Sequence, residues 1–478
     1  MYNQLIHLIP EIIIISTASI LLLSTVLIKE KDVCYAYSIS QIGLIIALFF
    51  IIKNWNMDYK IVFNLQFIDD NLSRVLKLFS ILFMFIVFLY SEKYLRIHKS
   101  YNNEYFSLCL FSLIGMMILI SSSNFLILYL GLELLSLPLY ALISIIKKHK
   151  NSSEAAIKFF VMGAIASGML LYGISLLYGL SGSLNLNEIG NCISINLIND
   201  SMILKIAIVF IVVGVAFKLG AVPFHMWVPD VYEGSPNTIT LFIGSIPKIA
   251  SFAMSYRILS SLIIVVKDWS SILTLMIIAS LIIGNVVAIA QTNIKRMLAY
   301  STIGHISFLM MGFISFAHEG FIASLFYVII YTLTAICAFG VIISLSSSNF
   351  EMEHIDDFKG LGENNPILAF IMMIVMFSMA GIPPTIGFYA KFIVIKSVVA
   401  NGMNWLAIFA VVFSVIGSFY YLRIIKVMFF EKPENKNENY KNRGLSNFGY
   451  SILFVNSILL ILLGIYPLPV LNLCLNIF

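Results

Sequence analysis

Five ionisable side chains lie deep in apolar stretches, and Glu133 has no other charge in the turns on either side. Glu133 stands in "YLGLELLSLPLY", Lys248 in "TLFIGSIPKIASFAM", His305 in "LAYSTIGHISFLMMGF" and Lys391 in "GIPPTIGFYAKFIV". Lys218 opens "FKLGAVPFHMWVPDVYEGSP" (217–236), which also holds His225 and three prolines. A charge at the centre of a bilayer costs from about 3 to above 10 kcal/mol, so such groups face protein or water and mark ion pathways. Burial disfavours the charged form of an amine and a nearby carboxylate restores it, so a buried lysine can load or release a proton when its partner moves. A line of Glu, Lys, Lys, His and Lys at similar depth is a proton relay bridged by water. Sodium would instead require clustered carboxylates, hydroxyls and carbonyls, and this chain offers one deep carboxylate among several cations.

Each group also has a plainer reading. Glu133 with a lysine could form one static ion pair that locks two helices. Lys158 follows Glu154 by four residues, which fits a local ion pair at the membrane surface as well as a transport role. His225 fits a structural histidine as well as a relay. Lys295 and Arg296 read as cytoplasmic anchors, and Arg257, Arg423 and Lys426 as side chains snorkelling to a surface.

The elements that must position these residues follow from composition. The 478 residues are 60% hydrophobic and 11% charged, with a mean hydropathy of +0.97, which excludes a water-soluble globule. Apolar runs of roughly 20 residues, enough for a helix to cross about 30 Å of hydrocarbon, recur along the chain. They predict an all-α polytopic membrane protein of about fourteen transmembrane helices, beginning near residues 5, 33, 72, 105, 124, 155, 202, 237, 271, 296, 320, 366, 403 and 448. The run spacing is too long for β-barrel strands. The first run, Leu5 to Ile28, lacks a basic leader and is expected to remain as a span.

Loop cations predict the orientation. Lys29, Lys31, Lys93, Arg96, Lys99, Lys147, Lys148, Lys150, Lys359, Lys432, Lys436, Lys441 and Arg443, with Lys295 and Arg296, fall on one side, and little beyond Lys53, Lys60 and Lys267 on the other. Both termini are then expected outside. The five cysteines are scattered without C-x-x-C spacing, so no metal site or disulfide scaffold is suggested, and no phosphate-binding loop or dinucleotide fingerprint occurs.

"GAVPFHMW" (220–227) can be laid on "GIPPTIGF" (381–388), pairing Gly220 with Gly381 and Pro223 with Pro384. Corresponding proline-interrupted spans in two halves are the trace of a repeat-built transporter.

"GLELLSLPLYAL" (131–142), "AAIKFFVMGAIASGMLLYG" (155–173), "FKLGAVPFHMWVPDVYEGSP" (217–236), "AQTNIKRMLAYSTIGHISFLMMG" (290–312) and "GIPPTIGFYAKF" (381–392) closely resemble the antiporter-like membrane subunits of the proton-pumping NADH-quinone oxidoreductase, respiratory complex I. "WVPDVYEGSP" and lysine at 391 place the resemblance with the subunit N family, since subunit M would carry glutamate there. The resemblance implies two inverted five-helix antiporter-like repeats with broken helices. The expected division is 1–103 for three N-terminal helices, 104–265 and 266–430 for the two repeats, and 431–478 for a loop and the last helix. It further implies that Glu133 pairs with Lys218, that Lys248 links the halves, that His305 relays in the second half and that Lys391 ends the second channel, with Lys158 also at a lysine position. No cofactor is implied in this chain. FMN, iron–sulfur clusters and quinone are expected in partner subunits, and the partners are other antiporter-like and small hydrophobic membrane subunits. A bacterial inner membrane is expected, a mitochondrial one being the other setting. The competing expectations are a subunit of a cation/proton antiporter without redox partners, and a structural membrane subunit.

Overall fold

The computed structural model describes residues 2–27, 34–57, 59–98, 100–146, 150–194, 201–315, 318–347, 351–432 and 444–477. Lys29, Lys31, Lys99, Lys147, Lys148, Lys436, Lys441 and Arg443 lie outside the described residues, so much of the loop-charge reading of orientation stays with the sequence.

The described chain is almost entirely helical. In order it forms α1 (Ile9–Leu27), α2 (Cys34–Lys53), a small hairpin β1 (Lys60–Val62) and β2 (Phe67–Asp69), then α3 (Asn71–Ile97), α4 (Asn103–Ile120), α5 (Phe125–Ile143), α6 (Lys150–Ser181) and α7 (Met202–Leu219). It continues with α8 (Trp227–Gly234), α9 (Asn237–Gly244), α10 (Pro247–Ser261), α11 (Val266–Ala290), α12 (Ile294–Ile314) and α13 (His318–Leu345). The last spans are α14 (Pro366–Ala380), α15 (Ile386–Ala400), α16 (Asn404–Phe430) and α17 (Asn447–Ile465).

Thirteen helices among the described residues are long and apolar enough to cross a membrane. The crossing predicted from residue 366 is instead two 15-residue helices, α14 and α15, each about 22 Å long at 1.5 Å per residue and too short to cross alone. One break was not foreseen. The span Asn237–Ser261 divides at Ser245 into α9 and α10, where Pro247 takes the first-turn position that its missing N–H suits.

Burial ranks the helices. The apolar windows of Asn237–Ser261 and His318–Leu345 are 100% buried and that of Ile294–Ile314 is 94% buried, against 28% for Asn447–Ile465. The centre of the bundle is therefore α9, α10, α12 and α13, the elements that carry Lys248 and His305, while α17 keeps an outward face for lipid or neighbours. Glu133 is held by the α4–α5 pairing. A Cβ on Gly115 of α4 would lie 2.3 Å from the Leu135 nitrogen of α5, a backbone approach that small residues permit between membrane helices.

Candidate functional site: lysines at two helix breaks

At the first break, α7 ends in Gly220 with φ 83 and ψ 33, the left-handed region open to glycine, and Gly220 N–H closes the helix on the Ala216 and Phe217 carbonyls. Pro223 follows, in a cis bond to Val222. The helix end leaves backbone carbonyls that need donors. Lys248, in the first turn of α10, donates from Nζ to the Leu219 carbonyl at 2.9 Å, with the Trp227 ring 5.4 Å away. Trp227 Nε1 in turn donates to the Phe217 carbonyl at 3.0 Å. Lys248 is only 2% exposed. Lys218 Nζ, one residue before Leu219, donates to Ser136 Oγ of α5.

The second break repeats this geometry. α14 ends in Gly381 with φ 83 and ψ 43, and Pro384 follows in a cis bond to Pro383. Lys391 of α15 donates to the Ala380 carbonyl at 3.0 Å and to Ser414 Oγ of α16 at 3.0 Å. At both breaks an ammonium group therefore meets the carbonyl end of a helix, where the backbone dipoles favour positive charge. The aligned glycines and prolines share backbone geometry, as the internal echo predicted.

His305 lies between α13 and α16. Its Nδ1 is 2.6 Å from Tyr327 OH and its Nε2 is 3.0 Å from Tyr421 OH, which also bonds Ser301 Oγ. A cavity of about 20 Å³ is lined by His305, Tyr327, Tyr331, Thr334, Ser378 and Lys391. That is room for one water, which needs about 10–15 Å³. A smaller one of about 10 Å³, lined by His305, Lys391, Ser414 and Tyr421, adjoins the same pair. His305 and Lys391 thus line the same two small cavities, the larger with room for a water between them.

Glu133 is half-buried on α5, one turn from Ser136. Among the described residues no ion pair joins it to Lys218, whose hydrogen bond goes to Ser136 instead, although the two are within electrostatic range. The amine of Lys218 is thus bonded to a hydroxyl of α5, with Glu133 acting on it through space. His225 falls in the break between α7 and α8, with a buried Nδ1 that has no hydrogen-bond partner among the described residues. Lys158 lies away from the breaks. It pairs with Glu154 at 2.9 Å and Asp230 at 3.0 Å, in a charged recess of about 240 Å³ with Glu233 and Arg296.

Three cations of the sequence reading are corrected. Arg257 does not snorkel: it is 8% exposed and forks onto both Asp70 oxygens at 2.7 and 2.8 Å. Lys295 is 2% exposed and donates to the Ser235 carbonyl at 3.0 Å, because α8 and α9 cover the start of α12. Arg423 likewise caps α11, donating to the Ile289 and Gln291 carbonyls. Lys426 is the exposed one, paired with Glu431 at 3.2 Å.

Sequence reasoning missed a second buried ionic group near the N-terminus. Glu11 of α1 and Lys77 of α3 pair at 2.6 Å with side chains 7% and 5% exposed. Beside them His7 Nδ1 is 2.5 Å from Asp69, which also accepts from Arg74 at 2.9 Å. The signal was present, since both Glu11 and Lys77 sit inside apolar runs. The hydroxyl partners Ser136, Tyr327, Ser414 and Tyr421 gave none, because hydroxyls are common in these spans. Among the described residues no group of three or more His, Cys, Asp or Glu side chains could hold a metal.

Broken membrane helices whose carbonyl ends are held by buried lysines define an antiporter-type transport subunit, and residues 122–417 match the family described as NADH:quinone oxidoreductase/Mrp antiporter, TM. The chain is 48% identical over 460 residues to NADH-quinone oxidoreductase subunit N of Thioalkalivibrio sulfidiphilus, covering 96% of this chain and 95% of that one. It is 44% identical to the subunit N of Hydrogenovibrio crunogenus, covering 98% and 97%. A chain of respiratory complex I from Thermus thermophilus superposes with a TM-score of 0.82 at 27% identity, over 97% of this chain and 99% of that one. A chain of the Mrp complex from Dietzia sp. DQ12-45-1b shares the fold, with a TM-score of 0.83 at 16% identity. The chain belongs to the NADH-quinone oxidoreductase subunit N family.

Proposed function

We infer that this chain is a proton-translocating, antiporter-like membrane subunit of NADH-quinone oxidoreductase, a multi-pass protein of a bacterial inner membrane. Its partners are the other membrane subunits of that complex, and FMN, iron–sulfur clusters and quinone belong to partner subunits. Residues 104–265 and 266–430 are read as its two antiporter-like halves. The observation that carries the reading is the lysine amine on the last carbonyl of a broken helix, Lys248 on Leu219 and Lys391 on Ala380.

The proposed relay runs from Glu133 and Lys218 through Lys248 to His305 and Lys391, with His225 and Lys158 beside it. A charge change arriving from a neighbouring subunit alters the balance between Glu133 and Lys218. The protonation of Lys248, and then of His305 and Lys391, responds through water and hydroxyl groups. Moving one charge against 100 mV takes about 2.3 kcal/mol. A hydrogen bond to a charged group contributes about 1.5–3 kcal/mol, so making or breaking one bond of the Lys248–Leu219 kind is enough to drive a step.

Two measurements test this. Tagged protein purified in mild detergent should bring down NADH-quinone reductase subunits, and their absence removes the redox assignment. Lys218→Ala should leave the complex assembled with NADH-driven pumping lost, and normal pumping in that variant takes Lys218 out of the mechanism.

A further inference from the structure

Lys295, Thr302 and His305 lie at spacings of seven and three residues, along one face of α12. Lys295 makes no contact ion pair among the described residues; its amine is held by the Ser235 carbonyl alone. Three carboxylates, Glu351, Glu353 and Glu233, are within electrostatic range of it. Unlike the lysine they reach solvent: the Glu351 and Glu233 side chains are 30% and 41% exposed.

From Lys295 inward, polar groups continue toward His305. Ser235 Oγ and Thr240 Oγ1 are 2.7 Å apart. Tyr331 OH donates to Thr302 Oγ1 at 2.8 Å and reaches the Gly244 carbonyl at 3.4 Å. The Tyr331 ring is 5.2 Å from that of His305. A Cβ on Gly244 would lie 3.2 Å from Tyr232 OH, so both phenols converge on the unforeseen break between α9 and α10. Within this seam Tyr232 OH is buried without a hydrogen-bond partner among the described residues, on a residue that is 0% exposed. A buried polar group left unpaired costs about 1–3 kcal/mol, and such groups are ordinarily satisfied by internal water.

We propose that Lys295 loads protons into a second path, separate from the Gly220 break, leading from the Glu351 and Glu233 face through the Ser235–Thr240–Tyr232–Tyr331 seam and its water to His305. The neutral Lys295 amine takes a proton from water at the carboxylates. Its N–H bond then breaks as an O–H bond forms on seam water, and the chain passes a proton to the His305 imidazole, leaving the amine neutral for reloading. The path rests on the relay reading, since it delivers to His305.

The test uses the assembled complex in inverted membrane vesicles, with NADH-driven proton uptake followed by a pH-sensitive dye. K295M removes the amine, and K295R keeps the cation while its guanidinium does not release a proton. Both should slow pumping by on the order of tenfold or more. A lysine that only anchors α12 would be rescued by arginine, so wild-type pumping in K295R overturns the proposal. If K295M prevents assembly, T240V supplies the second arm: it keeps side-chain shape and removes the hydroxyl, and wild-type pumping in T240V also overturns the path. K391A is measured alongside. Pumping retained in K391A sinks the relay itself, whereas pumping lost in K391A but normal in K295R and T240V sinks only the second path.

Discussion

Lys248 Nζ lies 2.9 Å from the carbonyl oxygen of Leu219, so a side chain from α10 closes the open end of α7 twenty-nine residues earlier in the chain. The same bond is the candidate switch, because the amine can hold the carbonyl whether or not it carries its extra proton, but more strongly when it does. Lys248→Met should abolish pumping while the complex still assembles on a native gel. An assembled K248M complex that pumps as wild type would show the amine to be a helix cap and nothing more.

Gly381 tests the second break without touching a titratable group. A Cβ there would lie 2.9 Å from Lys391 Cδ, on a residue whose φ is +83. Gly402 has φ +77 with open space around it, so Gly402→Ala carries the backbone strain alone, about 1–2 kcal/mol. Both variants should lose similar thermal stability, and Gly381→Ala alone should lose pumping. Equal pumping in the two would mean that the position of Lys391 does not matter.

Asp70 caps α3 and accepts both arms of the Arg257 guanidinium. Burial alone would raise its carboxyl, but Arg257 and the Ser73 donors outweigh it and hold the group below its ordinary value. A depressed acid contributes stability above its unfolded value near pH 4 and loses it as pH falls through the lower folded value. Asp70→Asn should therefore lower thermal stability by a constant amount between pH 5 and 8. The gap from wild type should close only below about pH 4, and a gap that narrows already between pH 7 and 5 would contradict this assignment.

Glu11 and Lys77 offer a comparison of one partner against two. Glu11→Gln strands a buried ammonium, which typically costs about 3–5 kcal/mol. Glu11→Leu with Lys77→Met removes both charges, and most of that loss should return. Thermal denaturation of the single and double variants decides it: a double variant no better than the single would mean that packing around the pair, rather than pairing, carries the stability.

Much of this architecture is legible because crossing a bilayer is a local demand. Run length predicts spans such as α5, α12 and α13 within a few residues. Prolines after Gly220 and Gly381 announce breaks, and charge in an apolar run announces Glu133, Lys218, Lys248, His305 and Lys391. The break at Ser245 escaped because the apolar run continues across Pro247, and a lone proline can kink a span without dividing it. Lys295 and Arg257 were misread because a cation near a span end looks the same whether the end meets water or is roofed by another helix.

The sequence by itself determined a polytopic helical membrane protein, the two proline breaks and the buried ionisable residues, since each follows from the transfer of short segments into hydrocarbon. Only the tertiary structure decided what those residues touch: Lys248 on Leu219, Lys391 on Ala380 and Ser414, His305 between Tyr327 and Tyr421, and Lys218 on Ser136 rather than on Glu133. Those partners come from helices far apart in the chain, and their meeting depends on how the helices pack rather than on the composition of any one of them.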